Sequence, residues 1–142
     1  MAEESVLVDS SIWIHGFGSR ATEDLKNRLM GLLETDCVII TEMVRLEVVA
    51  GARSAAEFGK YRADFESIRC FEATRQDWRS AEDLSLTLNR AGSKVGAADL
   101  LIAAVAISHQ VPLWHADSDF ERIRKVADDF RTIWYPKHPL AF

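Results

Sequence analysis

Apolar and polar positions alternate along the chain in short blocks, and the blocks predict its elements. Val6, Leu7 and Val8 form a continuous apolar run that stops at Asp9. A run without alternation is the pattern of a strand covered on both faces. Asp9 then stands at the carboxyl end of that strand beside Ser10 and Ser11, and in open α/β sheets that end is where ligands bind. A loop with Gly16 and Gly18 is expected next, followed by a polar stretch from Ser19 to Asp24. Leu25, Leu29, Leu32 and Leu33 predict a helix with one apolar face, ended by Thr35 and Asp36. Cys37 to Ile40 reads as a second buried strand, and Thr41 as the N-cap of a helix with Glu42 in its first turn. That helix carries Val44, Glu47 and Val48 at helical spacing and stops at Gly51.

Two helical stripes follow, Phe58, Tyr61, Phe65 and Ile68, then Trp78, Ala81, Leu84, Ser85 and Leu88. The first stripe, at 3- and 4-residue steps, could pack in the core or against a partner helix, and core packing is the expectation. Asn89 to Gly96 is a connection, and Asp99 opens a helix that is apolar nearly all round, so it must be buried on several sides. Val111 to Trp114 predicts a third strand, Asp117 to Ala127 a polar helix, and Phe130 to Tyr135 a fourth strand. The order β-α-β-α-α-α-α-β-α-β predicts an α/β fold, a mostly parallel central sheet of four or five strands sandwiched between helices. No linker or repeat divides it, so residues 1–142 are expected to form a single domain.

Composition narrows the class. Apolar residues make up 48% and charged residues 27%, ordinary globular proportions. Cys37 and Cys70 form no C-x-x-C, which argues against a thiolate zinc site and for reduced thiols. The start M-A-E-E carries acid where a secretory signal carries base. The longest apolar run, Leu100 to Ile107, has 8 residues against the roughly 20 that span a bilayer. No membrane association and a cytoplasmic location are expected. The formal charge of −5 argues against general nucleic-acid affinity. Without Asp9, Glu47, Asp99, Asp117 and Asp119, however, it is zero.

Those five acids carry the chemistry. In a parallel sheet all strand exits lie at one edge, so Asp9, Glu47, Asp99, Asp117 and Asp119 are placed to converge there. Clustered carboxylates raise one another's pKa unless a counter-charge is present, and Mg2+ or Mn2+, hard ions that take oxygen ligands, would supply it. Any one of them alone fits a structural role: Asp9 an Asx-turn, Glu47 a solvated helix face, Asp99 and Asp117 helix starts favoured by the dipole. Asp99 resists that explanation best, because it directly precedes the most buried helix. His15, His109, His115 and His138 show no metal spacing, and His115 is expected to be packed. The tryptophans are expected in the core, with Trp13 supporting the loop that holds Asp9.

D-S-S-I-W after a strand, Glu47 in T-E-M-V-R-L-E, A-A-D-L-L-I-A-A-V-A around Asp99, and D-S-D-F at Asp117 resemble the four ordered motifs of the PIN-domain nucleases. In length the chain is similar to VapC toxins of toxin-antitoxin pairs. The resemblance spans roughly residues 5 to 135. It implies that Asp9, Glu47, Asp99 and Asp117 are the acidic metal-binding quartet, with Asp119 beside it, and that Ser10 or Ser11 orients a ligand or water. His115 stands where many members have Thr. The implied function is Mg2+- or Mn2+-dependent hydrolysis of RNA, with a cognate antitoxin as partner and a homodimer as the usual assembly. Arg45, Arg53, Arg90, Lys94 and Arg122 are the candidates for substrate contact, with Ser10 beside them. The alternative is a non-catalytic PIN-fold module that binds protein. A haloacid-dehalogenase-type phosphatase is disfavoured because Ser11 stands where its second Asp is needed, and a receiver domain because Asp9 is solitary.

Overall fold

The computed structural model describes residues 4–18 and 21–137; Ser19 and His138, considered above, lie outside them. The chain runs β1 (Val6–Val8), α1 (Ser10–Phe17), α2 (Glu23–Glu34), β2 (Val38–Thr41), α3 (Glu42–Ala50) and α4 (Ala55–Glu66). It continues through β3 (Arg69–Phe71), α5 (Arg75–Arg90), α6 (Ala97–Ser108), β4 (Leu113–His115), α7 (Ser118–Val126) and β5 (Thr132–Trp134). The five strands form one sheet of order β3-β2-β1-β4-β5, and every pairing is parallel. The expected α/β sandwich is therefore present, with its sheet entirely parallel.

Strand order explains where a site can form. From β1 the chain first builds outward through β2 and β3, then returns to add β4 and β5 on the other side. The connections diverge between β1 and β4, which opens a crevice at their carboxyl ends. Val8 is in register with Trp114, and the Asp9 amide donates to the Trp114 carbonyl at 2.9 Å, so the exits of β1 and β4 are fixed side by side.

Burial follows the apolar runs. Val6, Leu7 and Val8 are wholly inaccessible, as are Ile40 and Leu113, so helices cover both faces of the central strands. In α6 every residue from Leu100 to Ala106 is buried, and Ala103, Ala104 and Ala106 let neighbouring helices come close. Helices α5, α6 and α7 pack on one another, and α1 and α4 each pack on α3. Thr41 caps α3 as expected, its hydroxyl accepting from the Val44 amide at 3.1 Å. Among the described residues no helix is long and apolar enough to cross a membrane.

Two elements differ from the sequence expectation. Ser10–Phe17, expected as a loop, is a helix capped by Asp9, which buries Ile12 and Trp13. Gly16 serves that helix rather than breaking it: a Cβ there would lie 3.0 Å from Leu29 Cδ2, so glycine permits the close approach of α2. Strand β3 also went unread, because its three residues, R-C-F, lie at the sheet edge and are at most half-buried. The helical stripes are covered only in part. Phe65 and Leu88 are core residues, whereas Phe58 and Trp78 are exposed. Of the tryptophans, Trp13 and Trp114 fill the core, and Trp13 Nε1 donates to the Val8 carbonyl at 3.1 Å, bracing the strand end before Asp9.

Candidate active site

Four separate segments bring five acids to the β1–β4 crevice. Asp9 follows β1, Glu47 lies on α3, Asp99 in the first turn of α6, Asp117 just after β4, and Asp119 in the first turn of α7. One oxygen each of Asp99, Asp117 and Asp119 lie within 4.8 Å of one another. Glu47 and Asp9 complete the cluster electrostatically: Asp99 feels Asp9, Asp117, Glu47 and Asp119, and Glu47 feels Asp9 and Asp117. Three of the five expected acids are thus within reach of one another, and Asp9 and Glu47 are near enough to repel them.

Capping and site roles coexist in two of these residues. Asp9 Oδ2 accepts from the Ser11 amide at 3.0 Å and from Ser11 Oγ at 2.6 Å, which starts α1. Its Oδ1, buried, has no hydrogen-bond partner. Asp117 caps α7 through Oδ1, which accepts from the Asp119 amide at 2.9 Å. The helix-start explanation thus accounts for one oxygen of each carboxylate and leaves the buried Oδ1 of Asp9 unexplained.

The serines organise the acids. Ser10 Oγ donates to Glu47 Oε1 at 3.1 Å, joining α1 to α3, and the residue itself is buried. Ser11 Oγ donates to Asp9 and accepts from the Ala116 amide at 2.9 Å, so one hydroxyl ties the exits of β1 and β4 together. Ser10, a candidate for substrate contact, is therefore placed against Glu47.

Burial and mutual repulsion shift the acids in one direction. Asp99 is pushed up to about 7, first by burial and then by the charges of Asp9, Asp117, Glu47 and Asp119. Burial also raises Asp9, against the hydrogen bonds from Ser11, and it raises Glu47, where Asp9 adds repulsion. A pocket that resists its own ionisation with an unpaired buried oxygen suits a cation. The donor set is all oxygen, as hard divalent ions require. The residues present fit a hard divalent cation.

The basic candidates are less uniform. Arg45 lies two positions from Glu47, about 200° around the helix, and its guanidinium pairs with Glu66 at 2.8 Å. It is thus directed toward α4, away from Glu47. Arg122 pairs with Asp119 at 3.7 Å and so borders the acids. Lys94 is exposed in the connection before α6, Arg53 in the connection before α4, and Arg90 at the end of α5. His115 is packed, as expected, but not inertly: Nε2 lies 2.8 Å from Glu121 Oε2, and Nδ1 accepts from the Asp117 amide at 3.1 Å. Glu121 had no signal in the sequence, since an acid early in a polar helix reads as ordinary dipole compensation.

Comparisons with known proteins agree with this geometry. Residues 6–126 match the PIN domain family. Ribonuclease VapC21 of Mycobacterium tuberculosis is 32% identical over 107 residues, covering 72% of this chain and 76% of that protein. Ribonuclease VapC11 of the same organism is 28% identical over 130 residues, covering 87% and 94%. Among solved structures, VapBC2 from Rickettsia felis bound to a promoter DNA fragment superposes with a TM-score of 0.74 at 16% identity, covering 92% of this chain and 98% of that one. FitAcB from Neisseria gonorrhoeae gives 0.73 at 20% identity, covering 94% and 99%. With its motifs in order, its all-parallel sheet and a family match running from β1 through α7, the chain belongs to the PIN domain family.

Proposed function

We propose that this chain, as one domain over residues 1–142, is a ribonuclease that hydrolyses RNA phosphodiester bonds with Mg2+ or Mn2+. In this reading it is the toxin of a toxin-antitoxin pair. The observation that carries the proposal is the cluster of Asp99, Asp117 and Asp119 within 4.8 Å, with the unpartnered Asp9 Oδ1 as the further carboxylate oxygen. Its similarity to the ribonucleases VapC21 and VapC11 over most of its length supports RNA as the substrate.

Asp9, Asp99 and Asp117 would hold the cation, with Asp119 beside them. A bound divalent ion supplies an acidified water and offsets charge developing on the phosphate. Ser10 fixes one oxygen of Glu47, leaving that carboxylate to orient the attacking water or to hold a second ion. Ser11 holds the Asp9 carboxylate by one oxygen, which keeps Oδ1 in a single orientation. Arg122 and Lys94 are the basic groups proposed to meet the RNA backbone, with Arg45 acting only if its pairing with Glu66 opens.

Two surfaces fit the proposed protein partners. Ile14 and Phe17 of α1 are exposed apolar residues beside Val48, Arg53 and Tyr61, in a groove continuous with the helices that carry Ser10 and Glu47. An antitoxin segment is proposed to seat there. Leu46 and Trp78, exposed on either side of a second apolar groove with Met43 and Leu101, are the proposed homodimer face.

The test is cleavage of RNA by the purified protein in Mg2+ or Mn2+. Chelator stops it, and Asp99→Asn abolishes it while the fold persists. Cleavage in excess chelator, or full activity in that variant, overturns the mechanism. Absence of cleavage with metal supplied favours the protein-binding alternative.

A further inference from the structure

His115 is wholly buried at the end of β4, one of the few polar side chains sealed in the core. Its ring contacts are apolar: the Phe120 ring of α7 lies 5.0 Å away and that of Trp134 in β5 lies 6.2 Å away. Burying a polar ring is costly unless both nitrogens are satisfied, and here both are. The Asp117 amide donates to Nδ1 at 3.1 Å, so Nδ1 carries the lone pair and the proton sits on Nε2. Nε2 in turn donates to Glu121 Oε2 at 2.8 Å, and Glu121 Oε1 accepts from Arg124 Nε at 2.6 Å. A continuous relay therefore runs from the α7 surface, through the core, to the backbone of Asp117.

The turn after β4 is braced at three of its amides by side chains. Ser11 takes the Ala116 amide, His115 takes the Asp117 amide, and Asp117 takes the Asp119 amide. The middle contact is set by His115, which is neither one of the clustered acids nor hydrogen-bonded to another of them through its side chain. We infer that His115 is a positioning residue: by accepting the Asp117 amide while anchored to Glu121, it fixes the turn that places Asp117 and Asp119 for a cation. The inference rests on the metal reading of the pocket. Groups that orient metal-binding side chains from behind typically change affinity about ten- to a hundredfold when lost.

The two ring nitrogens allow the two contacts to be separated. Asparagine puts an acceptor oxygen where Nδ1 stands, so His115→Asn keeps the acceptor for the Asp117 amide and loses Glu121. His115→Gln puts a donor where Nε2 stands, so it keeps Glu121 and loses the amide. Both variants forfeit the ring contacts with Phe120 and Trp134, so both lose stability. Mn2+ affinity, measured by calorimetry on the folded protein below its unfolding temperature, tells them apart. The expected result is a loss of about tenfold in His115→Gln and a clearly smaller loss in His115→Asn. Equal affinities in the unaltered protein and His115→Gln overturn the inference, as do equal losses in the two variants. If the unaltered protein binds no Mn2+, it is the metal reading that fails. A measurement without any variant guards against misfolding: the nitrogen NMR shifts of the His115 ring should report a proton on Nε2. A proton on Nδ1 overturns the inference.

Discussion

Ser11 Oγ sits between Asp9 Oδ2, 2.6 Å away, and the Ala116 amide, 2.9 Å away, so a hydroxyl on α1 joins the exits of the two strands that frame the site. Removing it orphans a half-buried amide and releases one oxygen of Asp9. Ser11→Ala should lower stability by about 1–2 kcal/mol, the cost of leaving such groups unsatisfied. Urea unfolding at neutral pH measures this, and a change within error means that water replaces the hydroxyl.

Glu47 is held by a hydrogen bond from Ser10 Oγ at 3.1 Å. Ser10→Ala should therefore cost RNA cleavage about tenfold with a stability loss under about 1 kcal/mol. Parallel kinetics and thermal unfolding separate the two effects. A large stability loss with unchanged cleavage would show that Ser10 serves packing alone.

Asp99 is raised to about 7 from an ordinary value of 3.8. The folded protein thus holds its proton more tightly than the unfolded chain does. Stability from this group is fully present below the ordinary value and is lost as pH rises through about 7. Without divalent ions, Asp99→Asn should therefore be more stable than the unaltered protein at pH 8, by about 1–2 kcal/mol after allowing for solvent screening, and the gap should close toward pH 4. Denaturant midpoints across that range test the sign.

The same proton competes with a cation. Mg2+ or Mn2+ should bind more weakly at pH 5.5 than at pH 8 and should release protons on binding, since its ligands must be ionised. Calorimetry in buffers of different ionisation enthalpy counts those protons. Affinity independent of pH would place the ion away from Asp99.

Trp78 and Leu46 are among the large apolar side chains left most open to solvent, 52% and 61% exposed, and they flank one groove. A homodimer through this face should be broken by Leu46→Glu with Trp78→Glu, without loss of the fold. Light scattering coupled to gel filtration reads the mass, and a double variant that remains dimeric places the interface elsewhere.

The sequence by itself determined what depends on neighbours along the chain. Unbroken apolar runs announce buried strands, as at Val6–Val8 and Val38–Thr41, because both faces must be covered. The cap at Thr41 and the all-round apolar α6 are equally local signals. Asp9 and Asp117 after apolar runs, Asp99 before one and Glu47 on the helix after another were enough, in a fold whose strand ends share one edge, to nominate the site. Short or marginal elements were not legible: α1 was hidden by its glycines and β3 by its half-exposed edge position. The tertiary structure alone decided how the acids are held and which basic groups accompany them. Arg45 turned toward Glu66, His115 found Glu121, and Ser11 met the amide of a residue 105 positions away. Such contacts are set by the packing of distant segments against one another, and no pattern of adjacent residues encodes them.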